Sequence, residues 1–265
     1  MTLPDARKAF RDTVSGLEYL HYQGVIHRDI KPANLLQARD GHIKISDFGV
    51  SYLGHVDEAI ELAKTVGTPA FYAPELCQTD ADQDALPVTG QIDVWALGVT
   101  LYCLVFGRVP FHDLNTFVVM RMIAEEEVYI PRFRLRAVDD RTASRPNSHN
   151  RLWGGMTRDR RSHHELIYEE VDDELHDLLR RLLIKDPRRR IKLPEVRHHP
   201  WVLRDLEHPL LWLEQSDPSR VPDYKKIEVS REDVDDAVVQ LNLLERVKSG
   251  MRKFGAAKAW EGEQR

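Results

Sequence analysis

The 265-residue sequence predicts an α+β fold that is mainly α. Two observations carry this. Apolar residues recur at three- and four-residue steps through several separate segments, and short apolar runs bracket a polar loop near the N-terminus. The composition agrees, since 42% of the residues are apolar, enough for a sizeable packed core.

Thr2 and Asp5 stand at the capping-box offset with Pro4 beside them. Ala6, Ala9, Phe10, Val14, Leu17 and Leu20 then trace one face of an amphipathic helix that stops at Gly24. Val25-Ile26 and Leu35-Leu36 read as short strands, with Asp40-Gly41 as a turn into the alternating His42-Ile43-Lys44-Ile45. Residues 27–34 form the loop between them. Residues 47–90 look less regular. Segments 91–106, 116–126, 171–184 and 193–203 read as helices, and in the third Val171, Leu175, Leu178, Leu179, Leu182 and Leu183 share a face. Residues 131–165 hold nine arginines against four acids with few aliphatics, the pattern of a disordered insertion. The sequence therefore divides into a body over 1–214 and a tail over 215–265, in which a Pro-containing linker precedes an amphipathic helix from Ser230 to Phe254.

Charge and cysteine usage exclude several classes. A formal charge of −5 gives no basis for dedicated nucleic-acid binding. Cys77 and Cys103 cannot build a disulfide framework or a Cys-rich zinc site, so the expected location is a reducing, cytoplasmic one. The first 30 residues have no apolar signal core. The longest uncharged apolar run, Val94–Phe106, has 13 residues against the ~20 a membrane helix needs, so no membrane association is expected.

The chemistry concentrates in His27-Arg28-Asp29-Ile30-Lys31-Pro32-Ala33-Asn34, in Asp47-Phe48-Gly49 and in Ala73-Pro74-Glu75. These three motifs, in this order, resemble those of the eukaryotic protein kinase family. The resemblance implies a kinase-like large lobe with short β-hairpins at the catalytic loop, and transfer of phosphate from ATP with Mg. Asp29 matches the residue that orients the attacking hydroxyl and takes its proton, and Lys31 the one that neutralises charge on the transferring phosphate. Asn34 and Asp47 match the magnesium ligands, and Leu36 the floor of the adenine pocket. A Lys two residues after Asp29, with Gly67-Thr68-Pro69 further on, is similar to the serine/threonine branch. Arg28 resembles the arginine that contacts a phosphorylated activation segment, with Thr65 the first candidate phosphosite and Ser51 the second. Thr68 matches a substrate-positioning residue. His27 and Phe48 match packing groups, Glu75 and Arg190 a buried ion pair, and Asp93 the helix aspartate that braces the catalytic loop. The bland alternatives are fold-stabilising carboxylates at Asp29 and Asp47 and a solvated arginine at Arg28. Histidine pairs at 163–164 and 198–199 do not face each other on a helix, so no metal beyond magnesium is expected.

Thr65-Val66-Gly67-Thr68-Pro69-Ala70-Phe71 and Val94–Cys103 are most similar to the calcium/calmodulin-dependent protein kinase kinases and their fungal relatives. That similarity implies protein substrates, namely activation loops of other kinases. It also points to calmodulin as a partner at 230–258, where Glu245–Lys258 carries five basic residues against one acid. Acids early and bases late also simply satisfy a helix dipole. The resemblance covers the large lobe only. No two glycines stand two apart and no Val-Ala-x-Lys strand precedes residue 27, so the small lobe is expected to be absent and the chain nearly inactive alone. The competing expectation is a truncated, non-catalytic interaction module.

Overall fold

The computed structural model describes residues 1–53, 66–78, 86–136 and 166–220. Thr65, residues 137–165 of the arginine-rich segment and the tail helix with its calmodulin-type stretch at 230–258 lie outside the described residues.

Helix α1 spans Leu3–Tyr22 and starts as its sequence dictates, with the Thr2 hydroxyl accepting from the Asp5 N–H at 3.2 Å and Pro4 in the first turn. Its apolar stripe, Ala6, Ala9, Phe10, Val14 and Leu17, is buried. Four short strands follow: β1 (Val25–Ile26), β2 (Leu35–Gln37), β3 (Ile43–Ile45) and β4 (Tyr52–Leu53). The β2–β3 pair is antiparallel with Leu36 opposite Lys44, and β1 pairs antiparallel with β4. These two ribbons hold the loop of residues 27–34 between them.

Helix α2 (Gln91–Phe106) is the centre of the body, with apolar residues buried on every side. Helix α3 (Thr116–Glu125) is capped by the Asn115 side chain, and strands β5 (Phe133–Leu135) and β6 (Tyr168–Glu170) pair antiparallel. Helix α4 (Asp173–Leu182) presents Leu175, Leu178, Leu179 and Leu182 to the core. It crosses α2 closely: a Cβ at Gly98 would lie 2.8 Å from Leu182 Cβ, so only glycine permits this packing. Short helices α5 (Leu193–Arg197), α6 (Pro200–Leu203) and α7 (Pro209–Gln215) follow, and Trp201 of α6 is buried with its ring meeting Phe10 edge-on at 5.9 Å. Among the described residues, no helix is long and apolar enough to cross a membrane.

Several expectations change. The helix expected over 193–203 is two helices separated at His198-His199, because Pro200 lacks an N–H and disfavours helical backbone before it. The helix expected from 171 begins at Asp173, since Asp172 caps it by accepting from Leu175 N at 2.9 Å. Residues 131–136, assigned by charge to a disordered insertion, contain strand β5. Arg134 is buried there, with Nη2 donating to the Met1 carbonyl at 2.6 Å and Nε 3.1 Å from Glu169. Counting charge does not reveal such pairing. The described residues of 47–90 hold β4 and two 3₁₀ turns, at Pro69–Phe71 and Pro74–Leu76. The start of the expected linker is docked onto the body, with Asp217 accepting from Arg197 Nη2 at 3.3 Å.

One buried acid gives the fold a pH dependence. Glu18 lies on the inner side of α1, and burial pushes its carboxyl up to about 7 from an ordinary 4.5, although nearby Arg197 opposes the shift. Between those values the folded chain holds a proton that the unfolded chain releases. The stability contributed by this group therefore falls as pH rises from 4.5 to 7. Chemical denaturation of wild type and Glu18→Gln at both ends of that window checks this. The wild type should lose on the order of 3 kcal/mol relative to the variant, and parallel curves would contradict it.

Candidate active site

The loop after β1 is anchored from below by α2. Asp93 is fully buried, with Oδ2 accepting from His27 N and Oδ1 from Arg28 N, both at 2.8 Å. His21 Nε2 from the end of α1 also reaches Asp93 Oδ2, at 2.9 Å. Thr100, two turns along α2, donates to the Ile30 carbonyl at 3.3 Å. These bonds hold Arg28 at φ 67°, a left-handed conformation that costs an arginine roughly 1–2 kcal/mol. Its Nε donates to the Val50 carbonyl at 2.5 Å, and its guanidinium lies over the Tyr52 ring at 5.9 Å. His27 is buried, accepts from Asp29 N at 3.3 Å and stacks edge-on with Phe48 at 5.1 Å. Its Nε2 lies 3.1 Å from the Ser46 carbonyl, joining the loop to the residue before Asp47.

On this base sits a closed set of hydrogen bonds. Lys31 Nζ donates to Asp29 Oδ2 at 2.6 Å and to Thr68 Oγ1 at 2.6 Å, while Thr68 donates to Asp29 Oδ1 at 2.8 Å. Asn34 Nδ2 donates to the Asp29 carbonyl at 2.8 Å and to Oδ2 at 3.0 Å. Burial by itself would raise the Asp29 carboxyl, but the bonds from Lys31, Thr68 and Asn34 outweigh it and hold the group below its ordinary value. The carboxylate is therefore ionised at neutral pH.

Gly67 explains how Thr68 comes so close. At φ 104°, a Cβ on Gly67 would stand 2.6 Å from the Arg28 carbonyl, so any side chain would push Thr68 off the loop.

Asp47 lies outside this cluster, on the exposed turn after β3, at φ 67° with Oδ1 accepting from Gly49 N at 3.4 Å. Phe48 and Leu36 are exposed apolar groups. Asn34 engages its amide nitrogen with Asp29, which leaves its Oδ1 as the oxygen it can offer elsewhere. An amide oxygen and one carboxylate suit magnesium, which keeps waters and takes substrate phosphates as further ligands. Among the described residues, no group of three or more His, Cys, Asp or Glu is arranged to hold a metal.

Glu75 and Arg190 sit apart from this chemistry, in the core. Arg190 Nη1 and Nη2 each meet one Glu75 oxygen at 2.8 Å, with both side chains fully buried.

The sequence thus named the four residues that meet in the cluster, Asp29, Lys31, Asn34 and Thr68, and the aspartate beneath them. It missed His21, Thr100 and Tyr52, whose contacts are tertiary and leave no local pattern. Gly67 was visible only as a member of the Gly-Thr-Pro stretch.

The site is thus a loop aspartate kept ionised by a lysine, a threonine and an asparagine and braced from a buried helix. The match to the protein kinase domain model over residues 1–202 places the chain in that family. Its relatives are serine/threonine kinases. The chain is 44% identical over 263 residues to serine/threonine-protein kinase ssp1 of Schizosaccharomyces pombe, covering 98% of this chain and 34% of that protein. It is 38% identical to SNF1-activating kinase 1 of Saccharomyces cerevisiae, over 78% of this chain and 18% of that one. It is 36% identical to calcium/calmodulin-dependent protein kinase kinase cmkC of Emericella nidulans, over 76% and 31%. The chain spans about a third or less of the length of these curated relatives.

Proposed function

We propose that these residues catalyse transfer of the γ-phosphoryl group of ATP to a serine or threonine hydroxyl of a protein, in particular an activation-segment threonine of another kinase. The closed Asp29–Lys31–Thr68–Asn34 cluster carries this reading, because it sets an ionised carboxylate and a cation beside one hydroxyl-bearing side chain. Asp29 orients the substrate hydroxyl and accepts its proton as the new P–O bond forms and the bond to ADP breaks. Lys31, within reach of that carboxylate, carries the positive charge that the transferring phosphoryl requires. Thr68 fixes the depth at which the substrate backbone passes Asp29. Magnesium, when bound, neutralises the ATP phosphates; Asn34 Oδ1 and Asp47 would hold it, and Leu36 would lie under the adenine.

The names of SNF1-activating kinase 1 and of the calmodulin-dependent kinase kinase support a kinase as substrate. The second name also supports calmodulin as a partner, and the charge pattern of the sequence puts its candidate segment at residues 230–258. The alternative, a non-catalytic interaction module, draws support from Leu36, Phe48 and Leu53, which are each about half exposed. The two separate in one assay. Full-length protein with Mg and labelled ATP should label a kinase-domain substrate on its activation-segment threonine and lose that label when the threonine becomes alanine. Label on tyrosine alone, or none, would overturn the proposal.

A further inference from the structure

The second half of α1, the first turn of α2, helix α5 and the turn at 217–219 line an open cavity of about 550 Å³. None of Asp29, Lys31, Asn34 or Thr68 lines it. Apolar wall from Leu193 and Pro218 meets three polar side chains, Glu18, Gln91 and Arg197, of which Glu18 and Arg197 are more than nine-tenths buried. Their hydrogen bonding is incomplete. Among the described residues, Arg197 Nε and Nη1, Glu18 Oε2 and Gln91 Oε1 are buried without a hydrogen-bond partner. Arg197 Nη1 and Glu18 Oε2 form an ion pair at 3.4 Å without the alignment of a hydrogen bond, which leaves Arg197 Nε and Gln91 Oε1 as the donor and the acceptor with no partner among the described residues. Unpaired buried donors and acceptors carry a desolvation cost that a complementary ligand relieves.

The charges around the cavity select the ligand class. An anion approaching Arg197 meets the carboxylate of Asp217, which pairs with that guanidinium at 3.3 Å, and a cation meets the guanidinium itself. One free donor and one free acceptor beside an ion pair, against an apolar wall, complement a neutral amide edge. We propose that this cavity binds a small planar amide, a lactam or an aromatic carboxamide. Its carbonyl accepts from Arg197, its N–H donates to Gln91, and its ring packs on Leu193 and Pro218.

Occupancy would be felt at the active site. His21 lines the same cavity and is bonded to Asp93, which in turn holds the backbone of His27 and Arg28. The link consists of two hydrogen bonds in series.

Benzamide is the probe, titrated into the full chain while the side-chain N–H resonances of Gln91 and Arg197 are followed by ¹⁵N NMR. Saturable shifts of both in the millimolar range are expected. Benzoate and benzylamine should bind at least about tenfold more weakly, since each brings a charge, and Gln91→Met should weaken benzamide about fivefold by removing one acceptor. Gln91 lies at the first turn of α2 with its carbonyl oxygen unpaired, so this variant keeps the test open where Arg197 variants fail to fold. Three results would overturn the proposal: no saturable shift at either residue, equal affinity for benzoate, or unchanged benzamide affinity in Gln91→Met.

Discussion

Asp29→Asn is expected to lower kcat for phosphoryl transfer by roughly 10²–10⁴, the usual contribution of a positioned general base, with KM for ATP little changed. Asparagine has nearly the same shape, so its oxygen still accepts from Lys31 or Thr68 and the cluster keeps its geometry. It loses the basic oxygen. The depressed carboxyl, held down by three neighbouring donors against the opposing effect of burial, also fixes the pH behaviour. The wild-type rate should be independent of Asp29 titration through neutral pH and fall only below the ordinary carboxylate range. Steady-state kinetics of the full-length wild type and variant, alongside circular dichroism melts, provide the check. A loss of activity matched by collapse of the melt would mean that Asp29 is mainly structural. Asp29→Ala is the less informative change, because it strands Lys31, Thr68 and Asn34 together.

The second large effect is on stability. Arg190 has five N–H donors and the fold uses all of them: Nε to the Ile184 carbonyl at 2.8 Å, Nη1 to Glu75 and the Gln91 carbonyl, Nη2 to Glu75 and the Lys185 carbonyl. Its guanidinium also lies 5.2 Å from the Trp95 ring centroid. It thereby ties the segment at Pro74–Leu76, the start of α2 and the loop after α4 into one joint. Removing either charge leaves the other buried and alone, which costs about 3–5 kcal/mol. Glu75→Ala and Arg190→Ala should each lower the melting midpoint by roughly 10 °C or prevent folding. Arg190→Lys should rescue little, because an ammonium cannot reproduce a planar fork with five donors. A midpoint within 2–3 °C of wild type in Glu75→Ala would refute this role.

The legible parts of this protein were those with a short-range signature. Thr2, Pro4 and the apolar steps of α1 announce a capped helix, and the Asp40-Gly41 turn announces the β2–β3 hairpin. That Asp29, Lys31 and Asn34 cluster was legible because they share one loop, so their order on the chain is nearly their order in space. Thr68 arrives from 39 residues away and was found through its own motif. What stayed hidden is pairing across long separations. Arg134 reads as one more charge in a basic run until its guanidinium is seen against the Met1 carbonyl, 133 residues away in sequence. His21 likewise looks like a helix-end histidine, and only the packing of α1 on α2 turns it toward Asp93. Strand β4 is two residues long and forms because β1 lies beside it, not because its own pattern demands it.

The central claim is that the loop cluster and Asp47 together perform metal-assisted phosphoryl transfer. Asp47→Asn tests it most directly, since asparagine tolerates the left-handed backbone at this position while discarding the charge that magnesium needs. The measurement is the rate of ³²P transfer from Mg-ATP to a kinase-domain substrate by full-length wild type and variant. The account predicts a fall of at least about 10²-fold with an unchanged melting midpoint. Transfer by the variant at the wild-type rate would contradict it.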